Sequence, residues 1–161
     1  SATALLESAW RLEPRRRGRL ALVGARITPA RVRPGGVVAV ELYFRCDTPT
    51  SNAWELFIHA DAPPPSRKPR VGNGDHGFTG GAVATSACRR GQLLLDRWDL
   101  EISTGADTGT YQLFAGLWYP AEGDRMTVQP AQASQSPGSD GGELGDEYVN
   151  RVYLGDIVVA R

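Results

Sequence analysis

The chain holds two histidines, His59 and His76, and each stands close to a carboxylate, Asp61 two residues after the first and Asp75 directly before the second. Two imidazoles and two carboxylates suffice for zinc or another divalent ion, provided that segment 61–81 folds back on the strand before it. Their spacing matches no metal motif, and Asp75 after Gly72-Asn73-Gly74 also suits an aspartate that caps a turn. Either histidine could act as a base for Thr85 or Ser86 as nucleophile. No Gly-x-Ser-x-Gly frame surrounds those hydroxyls. Sugar binding is a third chemistry, with Trp98 or Trp118 as a stacking surface and Asp75 as a polar contact; a core tryptophan is the competing reading for both. Asp140, Glu143, Asp146 and Glu147 lack the twelve-residue frame of a calcium loop and read as a solvated acidic loop. The expectation is a protein that is not an enzyme and uses no cofactor or metal.

The elements that must position these residues show mostly a period of two. Positions 37–45 alternate, with Val38, Val40, Leu42 and Phe44 on one face. Similar strands are predicted over 20–28, 54–60, 92–102, 109–119, 125–128 and 148–160, the last bent near Gly155. In 92–102, Leu94, Asp96, Trp98 and Leu100 share one side. Segment 61–81, with Pro63-Pro64-Pro65 and Gly72-Asn73-Gly74, reads as a long loop. Segment 129–147 is a low-complexity run of Gln, Ala, Ser, Pro, Gly and acids that buries little apolar surface.

Residues 1–18 stand apart as an arm. Thr3 could cap two helical turns over 4–12, and Pro14 would follow their end. Trp10, Arg11, Arg15, Arg16, Arg17 and Arg19 make that arm the candidate contact with a larger partner or with anionic lipid. Glycine and proline supply 30 of 161 residues, which suits many short strands joined by turns. Formal net charge is zero, so nothing global points to nucleic acid. No run of about 20 apolar residues offers a transmembrane helix. The first residue is Ser1, with no initiator methionine and no signal-type apolar region, so a cleavage or fragment boundary ahead of it is expected.

Asp107-Thr108-Gly109-Thr110-Tyr111 ahead of an alternating strand has the form of a tyrosine corner, in which the phenol bonds back to nearby backbone. Asp107, Gly109 and Tyr111 therefore read as structural. Cys46 and Cys88 could pair across the sandwich in an oxidising compartment or stay as two buried thiols. Some seven to nine strands with turns at this spacing predict an all-β fold, a two-layer antiparallel immunoglobulin-like β-sandwich over 19–161 with a short N-terminal helix or arm over 1–18.

A set of short motifs in order carries a resemblance: Phe57-Ile58-His59-Ala60-Asp61, Gly74-Asp75-His76, Thr85-Ser86, Gly91, Leu95-Asp96-Arg97-Trp98, Gly109-Thr110-Tyr111, Gly116-Leu117-Trp118 and Gly123-Asp124-Arg125-Met126. Over about residues 19–128 and the last strand the chain resembles the extracytoplasmic C-terminal β-sandwich domain of bacterial membrane glycosyltransferases of the dolichyl-phosphate-mannose mannosyltransferase type. It departs from them at Ala84, Cys88 and Trp118-Tyr119 and in the 129–147 excursion. The resemblance implies a periplasmic or cell-surface location, a buried polar network around His59 and Asp75, and no catalytic role. The function expected is a non-catalytic interaction or scaffold domain docking to a protein partner in a membrane-bound assembly. A carbohydrate-binding module with a glycan ligand is the alternative, and a metal-dependent or nucleophilic hydrolase the second alternative.

Overall fold

The computed structural model describes residues 2–129 and 149–161, and of residues 2–10 the backbone alone. The chain is a β-sandwich. The strands are β1 (Ala2–Glu13), β2 (Arg19–Thr28), β3 (Arg31–Val32), β4 (Val37–Thr48), β5 (Glu55–Asp61) and β6 (Arg70–Gly77), then β7 (Leu93–Glu101), β8 (Gly109–Tyr119), β9 (Asp124–Arg125), β10 (Thr127–Gln129) and β11 (Val152–Val159). The first sheet has the order β10-β1-β2-β4-β7 and the second the order β3-β11-β8-β5-β6. A short β9 pairs with β8, and a 3-10 turn over Phe78–Gly81 follows β6. Pairing is antiparallel except for β3, which runs parallel to β11. Among the described residues no helix is long and apolar enough to cross a membrane.

Alternation builds the core. Val38, Val40, Leu42, Phe44 and Cys46 point inward from β4, facing Leu56, Ile58 and Ala60 of β5 and Leu113, Ala115 and Leu117 of β8. In β11 the register shifts between Tyr153 and Gly155. Val152 and Leu154 lie inward before the shift, Ile157 and Val159 after it, so one extra residue lets both halves face the core. Gly155 takes φ +134°, which glycine tolerates and other residues resist.

Two expectations are corrected. Residues 2–13 form no helix; they are strand β1, bonded to β2 on one side and β10 on the other. A helix of about that length is marginal alone in water, whereas β2 offers an unpaired edge whose ladder satisfies the same backbone groups. Nor is 61–81 a single loop. Its second half is β6, which pairs with β5 from Glu55↔Gly77 to Asp61↔Arg70. Gly72 and Gly74 read as turn residues in sequence, yet they are packing glycines. A Cβ on Gly74 would meet the Trp98 indole at 2.5 Å, and one on Gly72 would meet Leu100 at 3.1 Å.

Tyr111 donates its hydroxyl to the Asp107 carbonyl at 2.8 Å, fixing the approach to β8. Cys46 and Cys88 form a disulfide. It does not cross between the sheets. Cys46 ends the inward row of β4, and Cys88 lies in the segment leading to β7, where Gly91 and Gln92 exchange backbone bonds with Cys46. The link therefore anchors the entry to β7 on β4. With the cysteines 42 positions apart in sequence, the chain-entropy contribution is about 4 kcal/mol. Replacing both cysteines by serine, or reducing the bond, is expected to lower unfolding free energy by about that amount, as read by urea denaturation with and without reductant.

Candidate functional site

The open side of the sandwich, where β6 and β7 end their sheets, carries the densest chemistry. Asp96 occupies an inward position of β7 between Leu94 and Trp98 and is fully buried. An inward carboxylate needs partners, and it has three bonds. The His76 Nε2 stands 2.8 and 3.0 Å from its two oxygens, and the Thr79 N–H donates at 2.8 Å. The His76 Nδ1 is 3.3 Å from the Gly74 carbonyl oxygen. Thr79 sits at φ +58°, a conformation that needs support from its surroundings. Its N–H bond to Asp96 and its hydroxyl bonds to Val83 supply that support.

The imidazole so held is stacked on Trp98, with ring centroids 4.2 Å apart and planes 4° from parallel. Glycine at 74 leaves the space in which the indole lies. Trp98 is thus fixed by a neighbouring ring, by close backbone and by its own strand. Its partly exposed remainder lines a depression of about 410 Å³ with Val37, Asn73, Asp99 and Glu101. A second depression of about 480 Å³ continues from it past Asn73 and Glu101 to Arg70, Ser103 and Thr104. Both fall in the range of about 300–1,000 Å³ usual for small-molecule clefts.

A separate polar cluster lies on the outer face of the second sheet. Asp61 receives Arg70 through two bonds, Nε at 2.6 Å and Nη2 at 3.2 Å, and Arg151 through Nη1 at 2.6 Å. Arg151 also stands 3.2 Å from the His59 Nδ1 and lies over the Phe114 ring at 3.9 Å. Arg67 bonds to Gln112 and faces the same ring, while Arg125 covers Phe57 and donates to the Val149 carbonyl. Burial first, then the charges of Arg70, Arg151 and Arg125, drive the His59 pKa down to about 2. Neutral imidazole therefore accepts from Arg151. Burial lowers the Arg151 pKa to about 10 against the pull of Asp61, which leaves it charged at neutral pH. Burial, together with a hydrogen bond to Asp156, pushes the Tyr153 phenol well up.

The four residues considered for a metal are divided between these two places. Register in the β5–β6 hairpin pairs Leu56 with His76 and His59 with Asn73. His76 therefore shares the inner face with Leu56, while His59, Asp61 and Asp75 belong to the outer face. Asp75 is exposed beside Phe57 and joins no bonded network with His59. Among the described residues no three His, Cys, Asp or Glu side chains converge as metal ligands. Thr85 is buried; its hydroxyl pairs with Thr50 at 2.7 Å and receives the Trp54 N–H at 3.0 Å, while Ser86 is exposed. Trp118 lies on the outer face of the second sheet opposite Glu55 and Arg125, far in register from Trp98. Arg15, Arg16 and Arg17 are exposed on the β1–β2 turn, and Arg19 pairs with Glu13. Arg11 is exposed, the Trp10 side chain lies outside the described residues, and so does the acidic group Asp140, Glu143, Asp146 and Glu147.

Asn73, Asp96, Asp99 and Glu101 were not singled out as site residues from sequence. The signal for Asp96 was present, since a carboxylate in an otherwise apolar inward row implies a buried partner.

Asp96→Ala would strand His76 and the Thr79 N–H in the interior. Its expected cost is roughly 3 kcal/mol, with Asp96→Asn costing less because the amide still accepts one bond; chemical denaturation measures both. His59 gives a pH signature. Its folded pKa lies below the unfolded value of about 6.5, so the unfolded chain takes up a proton that the native state refuses. Stability is complete above about pH 6.5 and falls as pH drops toward the folded pKa, by about 1.4 kcal/mol per unit. Between pH 7 and pH 5 the native chain should lose roughly 2 kcal/mol more than a His59→Asn variant, as measured by urea midpoints across that range.

No family model, curated protein or solved structure matches the chain.

Proposed function

We propose that this chain is a non-catalytic, extracytoplasmic docking domain of immunoglobulin-like topology that joins a protein partner of a membrane-bound assembly. Support for the topology comes from the Tyr111 corner and from a short strand, β3, lying parallel to the last strand beside an antiparallel core. An oxidising compartment suits the Cys46–Cys88 disulfide. The resemblance to glycosyltransferase C-terminal domains points the same way. His59 and His76 are both committed to internal partners, Arg151 and Asp96, which favours structural roles for them.

The observation that carries the reading is an exposed apolar patch on the outer face of the first sheet. Leu93 is 73% exposed and Leu95 50%, with Tyr43 directly across from Leu95 and Val37 farther along β4. These residues border β7, which ends its sheet, so an extended partner segment could add to it. Arginines crowd the same end. Arg89 and Arg90 precede β7 and are exposed, while Arg45, opposite Leu93, pairs with Asp47 and Arg19, opposite Thr48, pairs with Glu13. Charge complementarity therefore selects an acidic partner surface with apolar side chains to meet Leu93 and Leu95. The turn of the N-terminal segment stands beside Glu122, with which Arg16 pairs at 3.9 Å, and its strand belongs to the sheet; point changes, and not truncation of 1–18, separate docking from folding.

A photo-crosslinking residue placed at Leu95 in the native host is expected to give one discrete protein adduct in membranes. Adding Arg89→Glu and Arg90→Glu should lose it while the melting temperature holds. Adducts with lipid alone, or the same adduct pattern from a crosslinker on the opposite sheet at Asp75, would contradict the docking face.

A further inference from the structure

We infer that the groove between β6 and β7 is a carbohydrate site for neutral oligosaccharides, with Trp98 as its stacking platform. This site is centred away from the docking patch: Leu93 and Leu95 lie at the other end of β7, and Val37 borders both.

Sugar recognition needs an aromatic surface for the C–H face of a pyranose ring, and amides, carboxylates or hydroxyls for its hydroxyl groups. It also needs the platform held still, because ordering a loose side chain on binding opposes affinity. Trp98 meets these needs. The His76 ring stacks on it, Asp96 holds that ring at its Nε2 edge, and Gly74 gives the indole its place. The lining beside it includes Asn73, Asp99 and Glu101, with Ser103 and Thr104 along the neighbouring depression. Asn73, Asp99 and Glu101 are exposed, so their polar atoms can exchange water for sugar hydroxyls without a buried partner being lost.

Charge narrows the class. Two carboxylates line the groove; Asp99 is paired with exposed Arg97 at 3.7 Å, and Arg70 at the groove's end is engaged with Asp61 through both Nε and Nη2. A uronic acid, sialic acid or sugar phosphate would meet Asp99 and Glu101 at short range with its own negative charge. Neutral sugars meet no such repulsion, and their vicinal hydroxyls can donate to the carboxylates.

The test is titration of the isotopically labelled full chain with maltotriose, cellotriose, mannotriose and lactose, followed by two-dimensional amide and indole spectra. At least one sugar is expected to give saturable shifts confined to Gly72, Asn73, Gly74, the Trp98 indole and Asp99 to Thr104. Because Trp98 also packs against the core, Trp98→Ala alone is ambiguous. The exposed variants Asn73→Ala and Glu101→Ala are therefore paired with it, and each is expected to weaken binding roughly fivefold with an unchanged melting temperature. No saturable shift from any of the four sugars at high millimolar concentration would overturn the proposal. So would shifts centred elsewhere, such as at Trp118, or binding that survives both exposed substitutions.

Discussion

Everything distinctive on the open side of this sandwich depends on one buried pair, the Asp96 carboxylate and the His76 imidazole. The two residues come from different sheets, β7 and β6, and meet where no backbone ladder joins those sheets. Burying an unpartnered carboxylate would cost several kcal/mol, so the bond holds the two strands to a fixed separation. That separation admits an indole and an imidazole face to face, provided that β6 presents no side chain beneath the indole. Glycine at 74 meets this condition, and glycine at 72 makes the same room for Leu100. The 3-10 turn is drawn into the same arrangement, since its Thr79 N–H is the third bond to Asp96.

The second sheet solves a related problem differently. Its outer face buries Arg67, Arg151, Asp61 and His59 instead of exposing them. A carboxylate between two guanidiniums, with rings of Phe114 and Phe57 beneath the cations, replaces much of the hydration these groups give up. An alternative register would leave these charges stranded, which disfavours it. Asp61 and Arg151 are 90 residues apart in sequence, so the pair ties the last strand to the β5–β6 hairpin. Neutral His59 completes it as an acceptor, a role that its low pKa fits and that a metal ligand or catalytic base in an open cleft would not share.

The core strands were legible because their alternation is plain. Val38 to Phe44 and Leu113 to Leu117 face inward as their period requires. Strand β6 was hidden for a physical reason: the residues that let Trp98 and Leu100 approach are glycines, and glycine beside asparagine carries the signature of a turn. Strand β1 was hidden because its local pattern tolerates a helix, while the edge of β2 that recruits it is not local information. The site was legible in part. Trp98 was singled out, and Asp96 stood in the same inward row, but pairing Asp96 with His76 required the approach of two strands from different sheets. Nearness in sequence to a carboxylate misdirected the reading of His76, which works with Asp96 and not with Asp75, whereas His59 does share Arg151 with its neighbour Asp61.

The most direct test of the account is the mobility of the Trp98 indole, measured by nitrogen relaxation at its Nε1 in the native chain and in Asp96→Ala. A ring clamped through His76 should show an order parameter near that of rigid backbone, about 0.85, and should loosen toward about 0.6 or below when Asp96 is removed. An indole already mobile in the native chain, or equally rigid without Asp96, would contradict the claim that this buried pair organises the open side of the fold.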